Sequence, residues 1–410
     1  MKKKALLIGI IGLLVTTGFV YAASPVLKTM QAGGFDREYL VYTPQNPQQV
    51  KPNGIVVCLH GFNRTMYDFF EDYDISAVAD SLNLIIVAPQ ALPEQDSSVQ
   101  AAADLLNSYT NTPISLTSVW GCGLGVQATA FGTTLLKVTL NKDLDDVDFI
   151  DQLIDETLSE YSLPPENVFM LGTSMGGYMT YQYALEKGDR LSGLISISGS
   201  MGLDIQGMDY STKVPVCDFH SITDEVVPYT GSMVISGVTV ALGQNMQDVI
   251  NYWVKANEAA TTPVVEQVQN YPSTNGITVE KNTYSDPVNE VIHYKMNGST
   301  HSYFFKKENG DCMDYAEEIA HFIQAHLTDS STGIPDITAQ RAFFYPNPVK
   351  DNIYLGATSG RISIYDLTGR AVVSQSFATG QANLSSLQSG IYVIRIQSGN
   401  TVQVNKLIKQ

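Results

Sequence analysis

Ser174 sits in the pentapeptide Gly172, Thr173, Ser174, Met175, Gly176, between a strand-like run, Asn167 to Leu171, and a helix-like segment, Tyr178 to Glu186. A serine held between two glycines at a strand-to-helix turn is exposed as a nucleophile, because small residues on both sides let the chain turn sharply. A glycine-spaced serine also recurs by chance, so its reading depends on whether a base and an orienting acid accompany it. At such a turn they follow the serine in the chain order serine, acid, histidine. His60 precedes Ser174, His220 and His293 fall in or at the end of strand-like runs, and His321 and His326 fall in a C-terminal helical segment. His301 remains, in the small-residue loop Asn297, Gly298, Ser299, Thr300, His301.

The acid is expected in the loop after the strand-like run Val214 to Phe219, which offers Asp224 and Glu225. Asp218 lies inside the run and reads as structural. Asp224 is preferred because the shorter acid is the commoner partner of a triad histidine. An oxyanion site needs two backbone donors. The Met175 amide directly after the serine is one, and the Phe62 amide in the turn Leu59, His60, Gly61, Phe62 is the other, with His60 bracing that turn. Trp120, Tyr178 and Tyr303, together with Met175, are candidates for lining a substrate site, although each also reads as ordinary packing. There is no HExxH, paired CxxC or GxxxxGK stretch, so no metal or other cofactor is expected.

These residues require a scaffold of buried strands that end in loops on one side. Gly54 to Leu59, Leu84 to Ala88, Asn167 to Leu171, Leu191 to Ile197, Val214 to Phe219 and Val291 to Met296 are short apolar runs. They alternate with helical patterns such as Asp145 to Leu158, which predicts an α/β fold with a mainly parallel central sheet and crossover helices. An antiparallel hairpin around Gly33 and Gly34 opens it, and a helix from Asp314 to Leu327 closes it. Residues 90–123 are polar and without period, and read as a long surface excursion. After a Ser, Thr, Pro and Gly linker at 329–341, residues 342–410 alternate apolar and polar residues in short segments, as in a small antiparallel β-sandwich.

Met1 to Lys4 followed by the apolar run Ala5 to Val20 and then Ala22 reads as a signal peptide over 1–22, too short for a usual membrane span. Without its three lysines the balance is 21 basic against 41 acidic residues, or −20, which argues against nucleic acid or an anionic membrane as partner. Of four cysteines, Cys58 and Cys217 read as buried thiols. Cys122 and Cys312 lie in polar, loop-like surroundings and are the expected pair if an exported chain forms one disulfide.

Arg37 to Pro44, LHGF at Leu59 to Phe62, APQ at Ala88 to Gln90, the Trp120 loop, DDVDFI at Asp145 to Ile150, GTSMGGYMT, HSITDEVVPY at His220 to Tyr229 and GSTHSYF follow one another along the chain. Together they resemble the polyhydroxybutyrate depolymerase and feruloyl esterase group of α/β-hydrolases. Over residues 33–328 the resemblance implies an α/β-hydrolase with Ser174, Asp224 and His301 as triad and Phe62 with Met175 as oxyanion donors. Ser221 replaces the group's usual glycine, and Gly121 follows Trp120 where an asparagine is usual. The GTSMGGYM stretch is also similar to serine peptidases of the prolyl oligopeptidase type, whose propeller this chain has no room for. Residues 342–410 carry Tyr345 to Pro348, Ile364 to Asp366 with Gly369 and Arg370, Leu387 with Gly390 to Tyr392, and Lys406 to Lys409. By these residues the segment resembles the C-terminal sorting domain of the type IX secretion system of Bacteroidota.

The combined expectation is a monomeric, exported serine carboxylic-ester hydrolase with its catalytic domain at 24–328, acting on a polymeric or small ester. The type IX machinery would deliver it to the medium or the outer cell surface and then remove the sorting domain. A peptidase and a non-catalytic surface-binding protein are the competing readings.

Overall fold

The computed structural model describes residues 24–45, 51–110, 115–203, 212–328, 344–345, 348–355, 359–366, 370–398 and 401–410. The expected signal peptide at 1–22 and the expected linker at 329–341 lie outside them. Two compact units divide between Asp329 and Ser330.

In the first unit ten strands form one sheet. Its centre is six parallel strands in the order Leu84–Pro89, Gly54–Leu59, Val168–Thr173, Gly193–Ile197, Val216–Ser221, Val291–Asn297. The hairpin Val26–Ala32 and Phe35–Tyr42 extends one side antiparallel, and Thr278–Tyr284 with Val264–Gln267 extends the other. Alternation across the pleat divides the core. Ile55, Val57 and Leu59 pack into one apolar cluster, while Val56 and Cys58 pack into the other. Because the helices cover both faces, the central strands are apolar without alternation, as parallel strands must be.

That two-sided core corrects the expected disulfide. Cys122 belongs to the cluster on one face and Cys312 to the cluster on the other, and all four cysteines are free and buried. Burial also pushes the Cys122 thiol up to about 12, so it is an inert packing group.

The crossover helix Asp146–Glu160 is capped by the Asp145 carboxylate, which accepts from the Asp148 amide at 2.9 Å. Asp146 turns inward instead. It accepts from Arg37 Nη2 at 2.6 Å and from the Gly121 amide at 2.7 Å, and both charged side chains are essentially inaccessible. The Arg37 guanidinium lies 3.7 Å from the Phe149 ring centroid. Truncating Arg37 to alanine strands a buried carboxylate and is expected to cost about 3–5 kcal/mol, read as a lower urea midpoint at unchanged slope.

Two features depart from expectation. The polar excursion contains a helix, Ser97–Thr110, started by Asp96, whose Oδ1 accepts from the Ser98 amide at 2.8 Å. Val99 and Ala103, four residues apart, are buried. A second antiparallel sheet, in the order Ser232–Ile235, Val238–Ala241, Gly125–Ala130, Thr133–Thr139, joins two hairpins far apart in sequence. Their two-residue turns, Phe131–Gly132 and Ser236–Gly237, have positive φ at both positions, the geometry that suits the strand twist of a tight hairpin.

The second unit holds a four-stranded antiparallel sheet, Ala371–Phe377, Gly360–Tyr365, Gly390–Ser398, Thr401–Lys409, and a three-stranded one through Asn352–Leu355. Ile353, Ile362, Ile364, Ile394 and Leu407 fill its core.

Candidate active site

The Val168–Thr173 strand ends at Ser174, which has φ 53° and ψ −118° and begins the helix Met175–Lys187. Such a conformation is costly for a residue with a Cβ and is held by its surroundings. The Ser174 amide donates to the Ile197 carbonyl at 2.7 Å, and its carbonyl accepts from the Gly177 amide at 2.9 Å. The flanking glycines are sterically required. A Cβ on Gly172 would lie 2.1 Å from the Gly176 carbonyl oxygen, and one on Gly176 would lie 1.8 Å from that of Leu59. The helix therefore starts pressed against the end of the Gly54–Leu59 strand.

His301 reaches this turn from the loop after the Val291–Asn297 strand. Its Nε2 is 3.0 Å from Ser174 Oγ and its Nδ1 is 2.8 Å from Asp224 Oδ2. An acceptor-only carboxylate fixes the proton on Nδ1, leaving Nε2 free to accept from the serine hydroxyl. Asp224 is buried, and its Oδ1 accepts from the Val226 and Val227 amides at 2.9 and 2.8 Å. Burial alone would raise its pKa. The hydrogen bond and charge of His301, the neighbouring His220 and the Val226 amide outweigh it, so the carboxyl is held below its ordinary value and stays ionised.

Glu225, the rejected acid, has a different place: its Oε2 accepts from the His301 backbone amide at 3.1 Å. Ser221 and Thr223 each donate a hydroxyl to the Ser299 carbonyl at 2.8 Å. The loop carrying the acid is thus tied to the loop carrying the base by side chains that local sequence pattern did not single out for this role. Ser221 stood out only as a departure from glycine.

The Gly61–Phe62 turn lies beside the serine, since a Cβ on Gly61 would come 3.3 Å from Ser174 Cβ. His60 braces this turn as expected. Its Nε2 accepts from the Ala91 amide at 3.1 Å, so Nδ1 carries the proton and donates to the Gly61 carbonyl at 2.8 Å. Burial lowers the His60 pKa to about 4, which keeps the ring neutral. Met175 is the first residue of its helix, so its amide has no carbonyl one turn earlier to bond. Of the two expected donors, Met175 directly follows Ser174 in the chain and Phe62 directly follows Gly61.

The aromatic candidates fare differently. Trp120 and Tyr178 are 0 % and 1 % exposed, so neither side chain presents itself to a ligand. Trp120 instead donates its indole N–H to the His60 carbonyl at 2.9 Å, supporting the turn from beneath. Tyr178 packs against Gly243, where a Cβ would lie 2.7 Å from its hydroxyl. Tyr303 is part-exposed two residues beyond His301, with its hydroxyl on Asp311 at 2.7 Å. Among the described residues no group of histidine, cysteine and carboxylate side chains is arranged to hold a metal ion.

A nucleophile, a base with a free acceptor nitrogen and an ionised orienting acid in a hydrogen-bonded row can carry acyl transfer. The fold is of the α/β-hydrolase class, and the row has the arrangement of a serine nucleophile with its base and acid. Residues 142–255 match the phospholipase/carboxylesterase family. Residues 343–410 match the secretion system C-terminal sorting domain, the address for type IX export to the cell surface or beyond.

Among individual proteins, the chain is 27% identical over 152 residues to the protein designated Putative esterase NocK of Nocardia uniformis subsp. tsuyamanensis, covering 37% of this chain and 41% of that one. The matched part thus spans well under half the length of that relative. Solved structures similar to it include an acetyl xylan esterase from Aspergillus awamori (TM-score 0.46, 15% identity, 72% of this chain and 99% of that chain). An S-formylglutathione hydrolase from Agrobacterium tumefaciens is another (TM-score 0.43, 12% identity, 74% and 95%). No helix among the described residues is long and apolar enough to cross a membrane.

Proposed function

We propose that Ser174, His301 and Asp224 are the catalytic triad of an exported esterase that works through an acyl-enzyme. The observation that carries the reading is the row of contacts at 3.0 Å and 2.8 Å joining the three side chains, with Asp224 ionised. His301 Nε2 takes the Ser174 hydroxyl proton as Oγ attacks the ester carbonyl. The amides of Met175 and Phe62 receive the developing oxyanion. His301 returns its proton to the departing alcohol, leaving an ester on Ser174. Water then gives a proton to the same nitrogen as it attacks, and collapse frees the acid and restores the serine.

Several features support a polymer-linked substrate outside the cell: the sorting domain, the basic and apolar N-terminal segment, and the resemblance to the polyhydroxybutyrate depolymerase and feruloyl esterase group. On this reading the chain divides into a signal peptide at 1–22, the hydrolase at 24–328, a linker at 329–341 and the sorting domain at 342–410, and acts as a monomer. The test is an assay of the purified chain on 4-nitrophenyl acetate, methyl ferulate, acetylated xylan and a polyhydroxybutyrate suspension. Turnover of the chromogenic ester and of at least one of the other three is the expected result. Absence of turnover on every ester overturns the proposal.

A further inference from the structure

His220 is the last residue but one of the Val216–Ser221 strand and has no exposed surface, and the mechanism above gives it no step. Its Nε2 lies 2.8 Å from the Val227 carbonyl oxygen and 3.7 Å from Asp224 Oδ2, and its Nδ1 lies 3.0 Å from the Gly199 carbonyl oxygen. Each of those carbonyls belongs to a different wall of the site. Val227 is the residue whose amide holds Asp224 Oδ1 at 2.8 Å. Gly199 packs on the helix that Ser174 begins, so closely that a Cβ there would lie 2.6 Å from Gly177 Cα.

We propose that His220 is a positioning residue for the triad. Its ring fills the gap between the nucleophile's helix and the acid's loop, and its Nε2–H holds the Val227 carbonyl, so fixing the residue whose amide aims the Asp224 carboxylate at His301. This rests on the assignment of Asp224 as the acid.

The tautomer follows from the surroundings. Both nearest atoms are carbonyl oxygens, which only accept, so a neutral ring with one N–H can satisfy one of them. The groups facing it are Asp218 from its own strand, Asp224 and Tyr229 from the acid loop, and His293 and Lys295 from the neighbouring strand. Burial acts most strongly and lowers its pKa; the charges of Asp218 and Asp224 and the Val227 carbonyl act the other way without prevailing. The ring is therefore neutral near pH 7, and its proton goes to the shorter contact, at Val227. A hydrogen bond to a main-chain carbonyl rather than to the carboxylate itself leaves both Asp224 oxygens to their existing donors.

The shapes of the two amide side chains separate this role from simple space filling. Glutamine places its amide nitrogen where Nε2 stands, and asparagine where Nδ1 stands. His220→Gln is expected to keep kcat on 4-nitrophenyl acetate within about threefold of the parent. His220→Asn loses about 10- to 100-fold in kcat at near-constant KM, the scale of a misplacement of the reacting groups. In the same variant the downfield proton resonance of the His301 Nδ1–H on Asp224 broadens or moves, while in His220→Gln it stays. Equal activity of the two variants, or a loss in His220→Asn with that resonance unmoved, overturns the proposal. A nitrogen-correlated spectrum of the unmodified chain tests it without any variant that must fold: Nε2 protonation of His220 at pH 7 is expected, and an Nδ1 tautomer overturns it. That measurement does not depend on esterase activity, so a failure of the triad assignment is distinguishable from a failure of this one.

Discussion

Replacing Ser174 with alanine is expected to lower kcat on a short-chain chromogenic ester by about 10,000- to 1,000,000-fold, the range for removing a serine nucleophile that acts as a unit with its base. The substitution removes Oγ, the atom 3.0 Å from His301 Nε2, and nothing else in the row. Alanine keeps the Cβ, so the cost of φ 53° at this position is nearly unchanged and the turn should keep its shape. Folding should survive, because the Ser174 amide and carbonyl bonds to Ile197 and Gly177 are main-chain bonds. Thermal unfolding within a few degrees of the parent, with activity lost, is the expected pair of readings. Retained turnover would remove the serine from the mechanism.

Asp224→Asn is expected to cost about 10,000-fold in kcat, from a change of one atom. The asparagine oxygen can still accept from the Val226 and Val227 amides at the Oδ1 position, so the loop keeps its anchors. At the Oδ2 position an amide N–H then faces His301 Nδ1, which accepts only without its own proton. The ring must move that proton to Nε2, and the nitrogen facing Ser174 can no longer take one. The carboxyl of Asp224 is held below its ordinary value, so the parent keeps this interaction through the neutral range, and the comparison can be made at pH 7 to 8. A loss of less than about tenfold would show that Asp224 does not orient the base.

The three residues of the hydrogen-bonded row were legible because each is constrained by something written locally. Ser174 needs glycines where Gly172 and Gly176 stand, and only His301 among the histidines combines a place after the acid with a loop. The choice between Asp224 and Glu225 was harder, and the structure brings both to His301, the first to its ring and the second to its backbone amide. The turn-bracing role of His60 was also legible, from its place beside Gly61.

What escaped depends on contacts between distant segments. Trp120 and Tyr178 are aromatic residues near the site in sequence terms, yet whether an aromatic side chain faces solvent or lies beneath a loop is decided by what folds over it. Here His60 and Gly243 take those places. Cys122 and Cys312 sit among polar neighbours, but each thiol points into a core, and the two cores are separated by the sheet. The second sheet was missed because its turns use Phe131 and Ser236 where asparagine or aspartate would have signalled a tight hairpin. Its central pairing joins Thr239 to Thr129, partners that no local pattern connects.

Labelling with a fluorophosphonate probe tests the central claim most directly, since it asks whether the row of Ser174, His301 and Asp224 makes that one hydroxyl nucleophilic. Near-stoichiometric modification of the purified chain is expected, mapped by peptide mass to Ser174 and lost in Ser174→Ala. An unlabelled protein, or a label carried by any other serine, would contradict the account.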